Sequence, residues 1–137
     1  SNSISIHIRR GDYISNQEAN NFHGSCSIDY YTEAINIIKG KVSNPIFFVF
    51  SDDIAWVKEN LKSDIVATWV SEYNLDNTED LLLMSFCKHQ IIANSSFSWW
   101  GAYLNRNINK IVIAPKKWIA NKGYNTDEIT PSSWIKL

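Results

Sequence analysis

The chain is short of the features that mark several protein classes. Its two cysteines, Cys26 and Cys87, are too few and too far apart in 137 residues for a disulfide framework, so a reduced setting is expected. Three histidines and two cysteines are scattered singly, and no metal-ligand spacing emerges. No apolar run approaches the ~20 residues that cross a bilayer, and no signal-peptide pattern opens the sequence. Neither sign of charge dominates: a net charge of -1 argues against a partner held by broad phosphate neutralisation, which excludes the usual nucleic-acid binder. The G-x-G-x-x-G and G-x-x-x-x-G-K-[ST] loops are lacking too, as is any Ser-His-Asp or Cys-His arrangement.

What is present is an apolar pattern that alternates in period. With 45% hydrophobic residues the chain can bury one core. Residues 4–9 alternate Ile with Ser, His and Arg, the period of a strand with unlike faces. "SIDYYTEAINIIKG" reads as a helix capped by Ser27 and ended by Gly40, with Tyr31, Ile35 and Ile38 on one face. "NPIFFVFSDD" is a continuous apolar run, as expected of a parallel strand covered on both faces. "DIAWVKENL" then reads as a short helix capped by Asp53 and "DIVATWV" as a third strand. "TEDLLLMSFCKH" is expected to be a helix with acidic residues first and basic ones last. "QIIAN" and "KIVIAP" supply two more strands around the loop and helix of "SSFSWWGAYLN". Beyond Pro115 the pattern dissolves into a tail with Trp118, Tyr124, Pro131 and Trp134. Such alternation predicts a three-layer α/β domain, Rossmann-like, with a mainly parallel sheet. The six tryptophans read chiefly as core and lid packing, with sugar-facing rings as the alternative.

Ligands of such sheets sit beyond the carboxyl ends of the strands. Those ends here are Arg9-Arg10-Gly11-Asp12, Ser51-Asp52-Asp53, Asn94-Ser95-Ser96 and Pro115-Lys116-Lys117, all polar. His7 and Arg9 share a parity, so both project from one face of the first strand. A guanidinium forks onto two phosphate oxygens, whereas the competing reading is a structural Arg10–Asp12 ion pair. Arg10-Gly11-Asp12 also spells an adhesion tripeptide, but one tied to a hydrophobic strand. The small hydroxyl residues Ser96 and Ser98 suit either an N-cap or a phosphate-binding helix start. Asp80 serves either the helix dipole or a guanine's paired donors, and Asp53 reads as a cap. Cys87 is expected to be buried and inert, His89 a helix-end cation, and His23 a loop residue.

On these residues a resemblance emerges. "HIRRGDY", "FVFSDDIAWVKENL" and "EDLLLMSFCKHQIIANSSFSWWGAYLN", in that order, closely resemble the α-1,2-fucosyltransferases, glycosyltransferase family 11. The resemblance implies an inverting, metal-independent transfer of L-fucose from GDP-fucose to the 2-hydroxyl of a galactoside, with no cofactor. It implies that Arg9 binds the β-phosphate as the catalytic cation, with Arg10 in support and His7 beside the nucleotide. Asp80 would contact guanine, Ser96, Phe97 and Ser98 would loop around the pyrophosphate, and Asp52 and Asp53 would take a ribose or structural role. Nothing like the family's opening G-G-L-G-N-Q segment occurs, so residues 1–137 are expected to be the C-terminal, GDP-fucose-binding half of a GT-B type enzyme. The acceptor glycan would meet an N-terminal domain outside this chain. The expected setting is the cytoplasm, compatible with peripheral attachment to the inner face of a bacterial membrane. The remaining alternatives are a transferase using another GDP-sugar or a protein acceptor, and a non-enzymatic carbohydrate- or adhesion-binding module.

Overall fold

The computed structural model describes residues 2–10, 26–116 and 130–137. Gly11, Asp12, His23, Trp118 and Tyr124, and with them the proposed Arg10–Asp12 pair and the adhesion tripeptide, lie outside the described residues.

Six strands form one sheet: β1 (Ser3–Ile8), β2 (Ile46–Ser51), β3 (Val66–Trp69), β4 (His89–Ile91), β5 (Val112–Ala114) and β6 (Ile135–Lys136). Every pairing is parallel, and the order is β3-β2-β1-β4-β5-β6. The chain therefore works outward from β1 in one direction, then returns to its other side, reversing between β1 and β4. That reversal opens a crevice at the carboxyl edge.

Among the described residues, four α-helices accompany the strands: α1 (Ile28–Lys41), α2 (Ile54–Asn60), α3 (Asn77–Phe86) and α4 (Ser96–Tyr103), with a 3₁₀ turn at Val70–Tyr73 between β3 and α3. Local chemistry starts each α-helix. Ser27 caps α1 by accepting from Tyr30 N at 3.2 Å, and Asp53 caps α2 by accepting from Trp56 N at 3.3 Å. Asp76 and Glu79 form a reciprocal capping box on α3.

The two parities of β1 face different surroundings. Ile4, Ile6 and Ile8 pack with Tyr31, Ile35 and Ile38 of α1 and Val57 of α2 in the main core, all at most 2% exposed. Ser5 and His7 project to the opposite face, where α3 and α4 pack on each other. Gly101 of α4 makes that helix contact close: a Cβ there would lie 3.0 Å from Met84 Cβ. A buried amide cluster fixes the same region. Gln90 donates to the Met84 and Cys87 carbonyls at 2.9 and 3.0 Å, and Asn105 donates to Gln90 Oε1 at 2.9 Å.

Several sequence expectations are corrected. Helix α1 runs past Gly40 to Lys41, and the left-handed turn residue is Asn44, at φ 50°. Helix α3 stops at Phe86 with no basic residue in its last turn, because Cys87 is already extended. His89 begins β4 instead, its Nδ1 accepting from Ile111 N at 2.9 Å. The apparently patternless tail contributes β6, paired to β5 at Ile113↔Ile135. Strand β2 is not covered on both faces: Phe48 stays half-buried beside an apolar cavity of about 430 Å³, lined by Phe48, Phe50, Val70, Leu75, Leu83 and Phe86 among others. Of the described tryptophans only Trp134 is buried, and cations lie over Trp56 and Trp69.

Candidate functional site

A second cavity, of about 250 Å³, opens on that same face at the carboxyl edge. Strand β1 contributes His7 and the segment just after it Arg9, β2 ends in Ser51 with Asp52 following, the 3₁₀ turn gives Ser71, α3 Asn77, Asp80 and Met84, and α4 Phe97. The site thus draws on both sides of the topological reversal. Ser71 is built in by its hydroxyl, which accepts from Ser51 N at 2.8 Å and ties the turn to the end of β2.

His7 is buried, its ring edge-on to Phe97 with centroids 5.7 Å apart. Burial depresses its pKa to about 4; the Asp52 carboxylate opposes that shift and Arg9 reinforces it. His7 is therefore a neutral imidazole at neutral pH. Its Nδ1 is buried with no hydrogen-bond partner, while its backbone carbonyl accepts from Tyr31 Oη at 2.9 Å. Asp80 resembles it: Oδ1 is buried without a partner, and its carboxyl is shifted upward by burial and then by Asp76 and Glu79. A buried polar atom lacking a partner costs free energy, and a ligand that supplies the complement recovers that cost.

The adjacent arginines diverge. Arg9 lines the cavity, but Arg10 is drawn to the α2 side. Its backbone N–H donates to Asp52 Oδ1 at 2.8 Å, its Nε lies 3.6 Å from Asp53 Oδ2, and its guanidinium carbon sits 3.4 Å from the centre of a Trp56 ring. Asp53 caps α2, as its position in the sequence suggests, and does not line the cavity.

The serine-rich loop divides similarly. Phe97 enters the cavity; Ser96 is exposed and is not among its lining residues. Ser98, 1% exposed, accepts from Ala93 N at 2.9 Å through its hydroxyl, so it holds β4 to α4 rather than facing a ligand. The cap of α4 is Ser95, not Ser96 or Ser98. Sequence reasoning places Ser51 at the ligand edge without giving it a role, and it missed Ser71, Asn77 and Met84 as lining residues. Asn77, Asp80 and Met84 stand three and seven positions along one helix face, a spacing the sequence does carry; nothing local marks Ser71.

Cys87 is buried, and its thiol is pushed up to about 11 by burial, consistent with an inert side chain. Among the described residues no three His, Cys, Asp or Glu side chains gather as a metal site, and no helix is long and apolar enough to cross a membrane.

An all-parallel sheet that reverses beside a polar, arginine-bearing cavity defines a Rossmann-like α/β domain. The chain belongs to glycosyltransferase family 11: the model of that family, "Glycosyl transferase family 11", matches residues 1–137. Among its relatives, the O-antigen biosynthesis glycosyltransferase WbnK of Escherichia coli is 44% identical over 99% of this chain and 45% of its own length. An alpha-1,2-colitosyltransferase of Escherichia coli is also 44% identical, over 99% of this chain and 48% of that protein. The galactoside alpha-(1,2)-fucosyltransferase 2 of Rattus norvegicus is 29% identical over 74% of this chain and 29% of that enzyme. The chain thus spans about half the length of the bacterial relatives it matches. No solved structure matches it.

Proposed function

We propose that this chain supplies the donor site of an inverting α-1,2-glycosyltransferase, binding GDP-fucose and passing L-fucose to the 2-hydroxyl of a galactoside in glycan synthesis. One observation carries the reading: Arg9, a neutral His7 and Asp80 line a single cavity at the sheet's reversal, the last two with unpartnered buried atoms. Asp80 Oδ1 is an acceptor suited to the N1–H and amino donors of guanine. His7 Nδ1 suits a hydroxyl or phosphate oxygen. The planar fork of Arg9 can donate to two oxygens of a phosphate group in the diphosphate.

Charge sets the mechanism. As the bond from the anomeric carbon to the β-phosphate lengthens, the sugar gains oxocarbenium character and the phosphate oxygens gain negative charge. Arg9 stabilises that charge most at the transition state, and removing one such contact costs about 2.7–4 kcal/mol in the barrier. The reading gives the positive charge to a side chain rather than a metal ion. The acceptor hydroxyl attacks from the face opposite the diphosphate, which inverts the anomeric centre.

A colitosyl donor is the second reading, favoured by the 44% identity to the colitosyltransferase against 29% to the rat fucosyltransferase. Both readings share the α-1,2 linkage and the site described above.

Thermal shift and calorimetry with GDP, UDP and ADP test the reading. At a hundred times Kd, GDP is expected to stabilise the chain by about 2.7 kcal/mol, several degrees in Tm, with EDTA making no difference. Asp80→Asn should weaken GDP about tenfold and leave ADP and UDP little changed, since an amide places a donor where guanine also donates. Absence of any GDP effect, or equal response to all three nucleotides, would sink the assignment. Competition between GDP-fucose and a GDP-linked colitose decides the sugar.

A further inference from the structure

Beyond Ile8 the β1–β2 ladder has ended, yet Arg9 must leave the strand in one direction. No ladder bond holds the next residue; side chains do. The Arg10 N–H is held by Asp52 Oδ1 at 2.8 Å, and the Arg10 guanidinium is stacked on Trp56 at 3.4 Å. The Trp56 backbone is anchored at the head of α2, its amide N–H donating to Asp53 Oδ1 at 3.3 Å and its carbonyl accepting from Asn60 Nδ2 at 2.9 Å. The Arg10–Asp53 contact is longer, 3.6 Å, and the Asp53 side chain is 45% exposed, so solvent screening leaves the stack as the stronger restraint on the guanidinium.

We propose that Trp56 is a positioning residue of the donor site: by holding Arg10 against α2, it fixes the exit of β1 and so aims Arg9 into the cavity. The inference rests on the reading of Arg9 as the diphosphate ligand. Arg9 enters the cavity while its neighbour Arg10 lies over Trp56, so holding the one restrains the backbone from which the other departs. A planar ring face suits a guanidinium and cannot be replaced by an aliphatic group of similar bulk. Trp56 acts only through Arg10 and Arg9, so its removal should be felt by the phosphates and not by the base.

The test is calorimetry with GDP and NMR titration with guanosine on the parent chain, Trp56→Leu and Trp56→Phe. Trp56→Leu is expected to weaken GDP about tenfold while changing guanosine by less than about twofold. Trp56→Phe, which keeps a ring face, should recover most of the GDP affinity. Added to Arg9→Ala, Trp56→Leu should bring almost no further loss, because the two act in series. If Trp56→Leu does not fold, Arg10→Gln must show the same split between GDP and guanosine. Unchanged GDP binding in Trp56→Leu, or equal losses for GDP and guanosine, would overturn the inference while leaving the donor site standing. A parent chain that fails to bind GDP removes the diphosphate reading first, and this inference with it.

Discussion

Two cavities on one face of the sheet share their walls yet differ in kind. Helix α3 presents Asn77, Asp80 and Met84 to one and Leu83 and Phe86 to the other. Strand β2 gives Phe48 and Phe50 to the apolar cavity, then Ser51 and Asp52 to the polar one. The 3₁₀ turn does the same within two residues, Val70 facing one and Ser71 the other. Distance along the strand is what separates them. Away from the carboxyl edge, backbone groups are paired in the ladder and the side chains lining the cavity are mostly apolar. At the edge the ladder ends, and polar side chains take up the loose backbone groups. The apolar cavity has nearly everything it needs except cover; the polar one retains buried atoms that lack a partner.

Breaking the shared wall should give the largest effect. Phe50, 2% exposed, lines the apolar cavity and pairs in register with His7. Phe50→Ala is expected to cost about 3–5 kcal/mol in urea unfolding, and a loss below about 1 kcal/mol would show that this wall is not part of the core. Arg9→Ala comes next: GDP affinity should fall at least about a hundredfold with Tm nearly kept, and Arg9→Lys should recover little. Retained affinity would mean that the polar cavity is not the diphosphate site.

A pH series sharpens the contrast further. With its pKa near 4 in the folded protein against about 6.5 when unfolded, His7 takes up a proton more readily on unfolding across that window. Its contribution is therefore present above pH 6.5 and is lost as pH falls toward 4, by up to about 1.4 kcal/mol per pH unit. His7→Gln should flatten the urea midpoint against pH over this range; an identical slope in the variant would reject the assignment. The smallest effect belongs to the apolar rim. Phe86 is 73% exposed, so Phe86→Ser should change stability by no more than about 0.5 kcal/mol and leave GDP binding untouched, as isothermal titration would register.

Much of this arrangement is legible in the sequence, where the determinants are local. Period-two alternation places Ile4, Ile6 and Ile8 against α1 and sends His7 and Arg9 the other way. Ser27 and Asp53 announce their helices, because a cap needs only the next three residues. The failures share a different cause. Ser98 reads as a cap or a ligand but is claimed by the Ala93 amide. Arg10 reads as a support to Arg9, and its stack on Trp56 is not legible because it depends on how α2 returns to β1. The short strand β6 has too few residues for a period and exists because β5 offers an edge. Even the apolar run of β2, which signals burial on both faces, overstates it at Phe48: sequence records a side chain's preference, not which neighbours arrive.

The return from β3 to β4 also sets an order of events in folding. Strands β1 to β3 neighbour one another in sequence order, but β4 must find β1 across a separation such as the 85 residues between Ser3 and Lys88, joined through the Ser3 hydroxyl at 2.9 Å. Closing the longer loop costs only about 0.6 kcal/mol more per doubling of its length, so the β1–β4 pairing is expected to follow the β1–β2 pairing by a modest entropic margin. The polar cavity takes His7, Arg9, Asp52 and Ser71 from the part made first, and Asp80 and Phe97 from the part made last. No folding intermediate that lacks the β1–β4 pairing can assemble the cavity. A nucleotide ligand would then meet only chains that have completed that pairing, and its binding rate after dilution from urea would report when the pairing forms.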